Sequence, residues 1–380
     1  MAGKKMKKFT LQVIAGANVA TILMMLMTGY SDRIDPVSHP VLACGGMAFC
    51  IFLFFNLLFL FFWLIFRVRE AIIPVIGFLL CFGPVRRYTP FNWPLDIPKD
   101  NIKVLSYNVE QYGLFPPRPD TASTNPVIRY IASSKADLVC LQEANGLDAD
   151  SANAIFSKIY PYSYYETKSG SGDRIAIYSK FPMSHKRIIP YPSKGNMSIS
   201  CVLNIKGREV LVVNNHFESN KLDPEDKADF KNLVKGGIVA KGGPEKSDRL
   251  IDKLSSAAAI RALQVDSVCR FISEQRKGRS VIVCGDFNDN PISYSLYQIS
   301  KDLVNCYVAT GNGPGLSYHR SGMLFRIDHI LCSSDWRPYQ AKVDRRIKES
   351  DHYPIYCWLS LKGTFQGQSD ENKGLKATKH

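Results

Sequence analysis

The stretch VLACGGMAFCIFLFFNLLFLFFWLIF, from Val41 to Phe66, contains no charged residue, and a chain that carries such a run has few ways to hide it. About 20 consecutive apolar residues are enough to cross a bilayer as a helix. A second run, Phe9 to Tyr30, follows the basic start KKMKK, and a shorter third one extends from Ala71 to Pro84. The pattern predicts a membrane region over residues 1–90 with spans near 9–30, 41–66 and 71–84, the last either a short tilted crossing or an interfacial segment. Lys4, Lys5, Lys7 and Lys8 precede the first run and Arg67 and Arg69 follow the second, whereas the loop SDRIDPVSHP between them holds one Arg and two Asp. Basic flanks stay on the cytoplasmic side. With three crossings the remainder lies outside the cytoplasm and with two it lies inside; the three-span reading makes the chain a multi-pass protein of the cell membrane with an exoplasmic domain.

Beyond Phe91 the chain has the composition of a water-soluble protein. After a turn-rich linker, 91–101, runs rich in Val and Ile predict strands in IKVLSYNVE, LVCLQE, RIAIYSKFP, SISCVLNI, EVLVVNNHFES, SVIVCGDF, FRIDHILCS and YPIYCWLSL. NPVIRYIASS and KLSSAAAIRALQVDSVCRFISEQ predict helices. The charged, glycine-containing stretch Asn220 to Lys253 reads as a long loop or insertion, and 363–380 as a disordered tail. So many strands with helices between them fit an α/β sandwich of two sheets over 102–362. Cys140, Cys284 and Cys332 lie inside apolar runs and read as reduced core residues, not a disulfide framework. Of the net charge of +14, residues 1–90 carry +6, leaving +8 for the remainder. That excess suits an anionic substrate without specifying nucleic acid.

The predicted strands share a habit: they end in particular polar groups. Asn108 and Glu110 close the first, Glu143 the second and His216 the strand VVNNH; Asp286, Asn288 and Asp289 follow VIVCG, and Asp328 with His329 and Asp351 with His352 come last. Singly, each is a turn former or a hydrogen-bonded histidine. Jointly they offer carboxylates, amides and imidazoles, the groups that hold a hard cation such as Mg2+ (Mn2+ the alternative) and stabilise a phosphoryl group under attack by water.

In that order and at those spacings, YNVE, LQE, NNHF, GDFNDNP, IDHI and SDHYP resemble the endonuclease/exonuclease/phosphatase family, over Ile102 to Leu361. The resemblance implies a four-layer αββα sandwich and a role for each matching position. Glu143 would ligate the metal, supported by Asn108, with Asp351 a further metal-site carboxylate. Asp286 would orient or deprotonate the attacking water, Asn288 would contact the phosphate, Asp328 would orient the catalytic His352, and His216 would lie near the phosphate or leaving group. Arg174 and Tyr318 are candidate substrate contacts, and Asp289 and His329 structural neighbours. Glu110 departs from the aspartate of several members, so no metal role is assigned to it. The expected activity is metal-dependent hydrolysis of a phosphodiester or phosphomonoester in nucleic acid, a phospholipid headgroup or an inositol phosphate. The alternative is a catalytically silent, membrane-anchored binding module on the same fold.

Overall fold

In the computed structural model, which describes residues 2–113, 125–146, 149–223, 225–226, 228–229, 243–320 and 325–362, the apolar runs become strands of two six-stranded sheets. In chain order the strands are β1 (Ile102–Asn108), β2 (Leu138–Gln142), β3 (Tyr162–Thr167), β4 (Arg174–Ser179), β5 (Met183–Ile189) and β6 (Met197–Ile205). They continue as β7 (Arg208–His216), β8 (Ser280–Asp286), β9 (Val304–Asn305), β10 (Asp328–Cys332), β11 (Trp336–Val343) and β12 (Ile355–Leu361). One sheet has the order β11-β12-β1-β2-β4-β3 and the other β5-β6-β7-β8-β10-β9.

The inner faces of the sheets bury Val104, Cys140, Ile199, Val212, Ile282 and Cys284 against one another. Helices Pro126–Ser133 and Ala149–Phe156 cover the outside of the first sheet, and Gly243–Arg276 and Tyr294–Ile299 cover the second. This is the expected four-layer sandwich. Local chemistry agrees with it: Asn125 caps the Pro126–Ser133 helix by accepting the N–H groups of Val127 and Ile128, with Pro126 in the first turn, where its missing N–H costs nothing. All ten cysteines are free.

Register explains why the polar strand ends meet. Strands β1 and β2 run parallel with Asn108 opposite Gln142, and β7 and β8 run parallel with His216 opposite Asp286. Antiparallel β10 starts where β8 stops, Asp328 opposite Asp286. Four strand ends and one strand start therefore share one edge of the sandwich.

Two N-terminal helical stretches, Lys8–Arg33 and Pro40–Phe66, are long and apolar enough to cross a membrane. The expected third span is not one straight helix: Val68–Leu80 and Phe82–Tyr88 meet at a bend of 70°. Asn18 donates to Asn56 (3.1 Å) and accepts from the indole N–H of Trp63 (3.1 Å), pinning the first two helices together with the buried polar contacts favoured between apolar helices. The bent pair runs alongside the first helix. A Cβ on Gly77 would lie 2.7 Å from Ile22, and one on Gly29 3.0 Å from Pro84, so small residues permit the close approach. Arg87 closes the arrangement on Asp32 at 2.6 Å, returning the chain to the end that bears the 31–48 turn. Residues 91–101, expected as a linker, form no regular element yet are held: Asn92 donates to the carbonyls of Val308 (3.2 Å) and Gly311 (2.6 Å). Within the expected insertion, the long helix already begins at Gly243; residues 224, 227 and 230–242, and the expected tail, lie outside the described residues.

Candidate active site

Asn108 joins the two sheets. Its Nδ2 donates to Glu143 Oε1 (2.9 Å) on its own sheet and to Asp286 Oδ2 (3.0 Å) on the other, while its Oδ1 accepts the Glu110 N–H (3.1 Å). Below it Gln142 donates to Asn214 (2.6 Å), and Asn214 to the carbonyl of Leu141 (3.0 Å), so the support of the site is itself hydrogen-bonded across the core. Asn108, Gln142, Asn214 and Asp286 are buried and would be costly to leave unpaired.

Two histidines flank Asp286. His352 gives Nδ1 to Asp328 (2.8 Å) and turns Nε2 toward Asp286 Oδ2 (3.7 Å). His216 gives Nδ1 to Asp173 (2.8 Å) and turns Nε2 toward Glu143 Oε1 (3.7 Å) and Asp286 Oδ2 (3.9 Å). A carboxylate on one ring nitrogen fixes the orientation of the other. Asn288, in the left-handed backbone region at φ 51°, donates to the Phe217 carbonyl (3.0 Å), and its backbone N–H to Asp286 Oδ1 (2.8 Å).

The electrostatics follow from this geometry. Burial opposes the charged form of His352, but the adjacent Asp328 and Asp286 outweigh it and raise its pKa well above the usual imidazole value. For His216 burial is likewise outweighed by Asp173, Glu143 and Asp286, and its pKa rises to about 9. Burial raises the carboxyl of Asp286 despite the two histidines, and that of Glu143 despite His216 and Asn108. Carboxylates withdrawn from water beside one another are a natural seat for a cation.

Two donor sets are available. Asp286, Asp328 and His352 offer atoms within 4.8 Å of one another, but Asp328 and His352 are already bonded to each other. Glu143 and Asp286, joined by Asn108, supply the oxygen-rich set that a hard divalent cation prefers. Asn108, expected to support the metal, directs its NH2 at both carboxylates and so positions them. Asp351 lies 4.0 Å from His352 Nε2 and lines the same cavity of about 200 Å³ as Glu143, Asp286, Asn288, Tyr318 and His352. Tyr318 stands edge to face with the His352 ring at 5.2 Å.

Arg174 is not drawn in. Its guanidinium meets Asp150 at 3.5 Å and lies over the Tyr165 ring at 5.2 Å, and its neighbour Asp173, unmarked in the sequence reading, reaches the site through His216. Glu110 pairs with Arg320 and accepts the Asp351 N–H (2.9 Å). Asp289 binds Arg261 (3.2 Å) and Ser295 (3.0 Å). His329 packs on Phe287 at 5.2 Å, and burial holds its pKa well below the usual value, so it is neutral.

The family model described as Endonuclease/Exonuclease/phosphatase family matches residues 105–352, and one described as a domain of unknown function (DUF8431) matches 11–88. No curated protein matches the sequence. Among solved structures, the human nocturnin catalytic domain with bound sulfate is 17% identical, at a TM-score of 0.52, covering 71% of this chain and 100% of that one. An endonuclease/exonuclease/phosphatase from Beutenbergia cavernae is 15% identical, at a TM-score of 0.50, covering 69% and 72%. D. rerio TDP2 complexed with single-strand DNA product is also 15% identical, at a TM-score of 0.50, covering 69% and 99%. These likenesses establish the fold.

Proposed function

Because this chain belongs to the endonuclease/exonuclease/phosphatase family, we propose that it is a membrane-anchored, divalent-metal-dependent phosphoesterase. The observation that carries the reading is the placement of Asp286 between two carboxylate-backed histidines, its Oδ2 3.7 Å from His352 and 3.9 Å from His216. Asp286, flanked by the two histidines, orients the attacking water and takes its proton. Protonated His352, held by Asp328, faces the negative charge that develops on the phosphoryl oxygens. Asn288 adds an amide donor beside it, and His216 is placed to serve the leaving oxygen. A water oxygen bonds to phosphorus, the ester P–O bond breaks, and the leaving alcohol takes up a proton. Glu143 and Asp286, positioned by Asn108, would hold Mg2+ or Mn2+, which when bound neutralises phosphoryl charge.

The domain lies on the exoplasmic side in this reading. Lys4 to Lys8 and Arg67 to Arg69 mark one end of the helices as cytoplasmic. The sandwich is held at the opposite end, where Arg87 is neutralised by Asp32. Full-length protein in detergent should lose turnover of bis-p-nitrophenyl phosphate on chelation and regain it with Mg2+, and Glu143→Gln should weaken Mg2+ binding by calorimetry about 10-fold or more. Chelator-resistant turnover would contradict the metal dependence.

A further inference from the structure

Polar groups do not wall the cavity alone. Leu222, Tyr318 and Phe325 line it, and these three, like Cys44 and Met47 near the start of the Pro40–Phe66 stretch, pack against Leu250 and Leu254 of the long helix. Leu250 and Leu254 thus link the apolar side chains of the cavity to those of the membrane region.

The seating of residues 44–47 is specific. Gly46 lies on the backbone of Ile292, six residues past Asp286, and a Cβ there would stand 1.9 Å from the Ile292 carbonyl oxygen; no other residue fits. Ile292 is in turn buried among Met25, Phe49, Leu53 and Cys81 of the apolar helices. Two residues before Asp328, the fully buried Arg326 donates to the carbonyl oxygens of Arg87, Tyr88 and Pro314 and lies over the Tyr307 ring at 4.5 Å. The segments that follow β8 and precede β10, the strands of Asp286 and Asp328, are therefore tied to one end of the helical bundle. Near these ties Val41, Leu42, Phe91 and Trp93 stand 53%, 59%, 68% and 79% exposed, a set of large apolar side chains suited to the interfacial zone of a bilayer.

From this we infer that the site acts on lipid phosphodiesters taken from the bilayer in which the helices sit, an inference that rests on the phosphoesterase reading above. The phosphate lies against Asp286, Asn288 and His352. A cavity of about 200 Å³ has room for the phosphate and its immediate substituents, and the acyl chains follow the Leu222–Phe325–Met47 wall back toward the membrane. Hydrolysis gives one phosphomonoester and one alcohol, the elements of water divided between them, whichever ester bond breaks. A nucleic acid, whose backbone is anionic and hydrated, gains nothing from such apolar side chains.

The test uses full-length protein reconstituted with Mg2+ in vesicles of phosphatidylethanolamine and phosphatidylglycerol, compared with bis-p-nitrophenyl phosphate and a single-stranded oligonucleotide as soluble substrates. The inference predicts a kcat/KM for vesicle lipid at least about 10-fold above that for the oligonucleotide. Leu222→Asp and, as a milder change, Met47→Gln should each reduce lipid turnover about 10-fold more than turnover of the p-nitrophenyl ester. Faster cleavage of the oligonucleotide than of lipid, or equal losses on lipid and soluble ester in both variants, overturns the inference and leaves the phosphoesterase reading standing. Absence of turnover on every substrate, the p-nitrophenyl ester included, overturns both.

Discussion

Asp173 and Asp328 do the same work at two places: each receives one histidine Nδ1 at 2.8 Å and turns the other ring nitrogen toward Asp286. Only Asp328 stood out in the sequence, because it stands beside His329 at the head of the apolar run that becomes β10. Asp173 lies in a glycine-rich turn ahead of β4, where an acid reads as a turn former, and attention fell on Arg174 one position on. Asp173→Asn should lower kcat about 10-fold or more with little change in fold; an unchanged rate would remove His216 from the mechanism. Asp344 makes a different kind of contribution. It accepts from Tyr130 (2.9 Å) and from Arg346 Nε (2.9 Å), and the Arg346 hydrogen bonds hold its carboxyl below the usual value of 3.8. A depressed folded pKa contributes stability that is present above 3.8 and lost as pH falls through the lower folded value. Wild type should therefore melt above Asp344→Asn at neutral pH and lose that margin as the medium is acidified below about 4. A margin that stays constant down to pH 2 would contradict the assignment.

At the level of elements, the strands read from sequence are the interior ones. The four that were not, β3, β5, β9 and β11, are the edges of the two sheets. An edge strand needs no continuous apolar run, because one side lacks a neighbouring strand and its faces are less covered. In β5 only Ile189 is buried, β9 has two residues, and bulges interrupt both β5 and β11. The motif strand β8 shows the reverse: every residue is buried, and its glycine is required. Gly285 sits at φ 143° with Asn215 beside it, and a Cβ would stand 2.0 Å from the Asn215 carbonyl oxygen. Gly285→Ala should cost about 1–3 kcal/mol, seen as a lowered unfolding midpoint, and should displace Asp286 enough to reduce turnover. Wild-type stability and rate in this variant would show that the strand can shift without consequence.

For the whole molecule, sequence showed the existence of an apolar region and a phosphoester site but not their relation. No spacing rule links Gly46 to Ile292 or Arg326 to the carbonyls of Arg87 and Tyr88, since these contacts are tertiary and use small residues or backbone atoms. The structure joins them, and a topological prediction follows. Protease added to intact cells should cut within the sandwich, whereas the Arg67–Arg69 turn should be reached only after permeabilisation; the opposite pattern would place the active site in the cytoplasm. The central claim is hydrolysis by Asp286 and His352. Its most direct measurement is turnover of bis-p-nitrophenyl phosphate with Mg2+ by full-length protein and by folded Asp286→Asn and His352→Ala. The expected result is metal-dependent turnover in wild type and a loss of roughly 100-fold or more in each variant; full activity in either variant would contradict it.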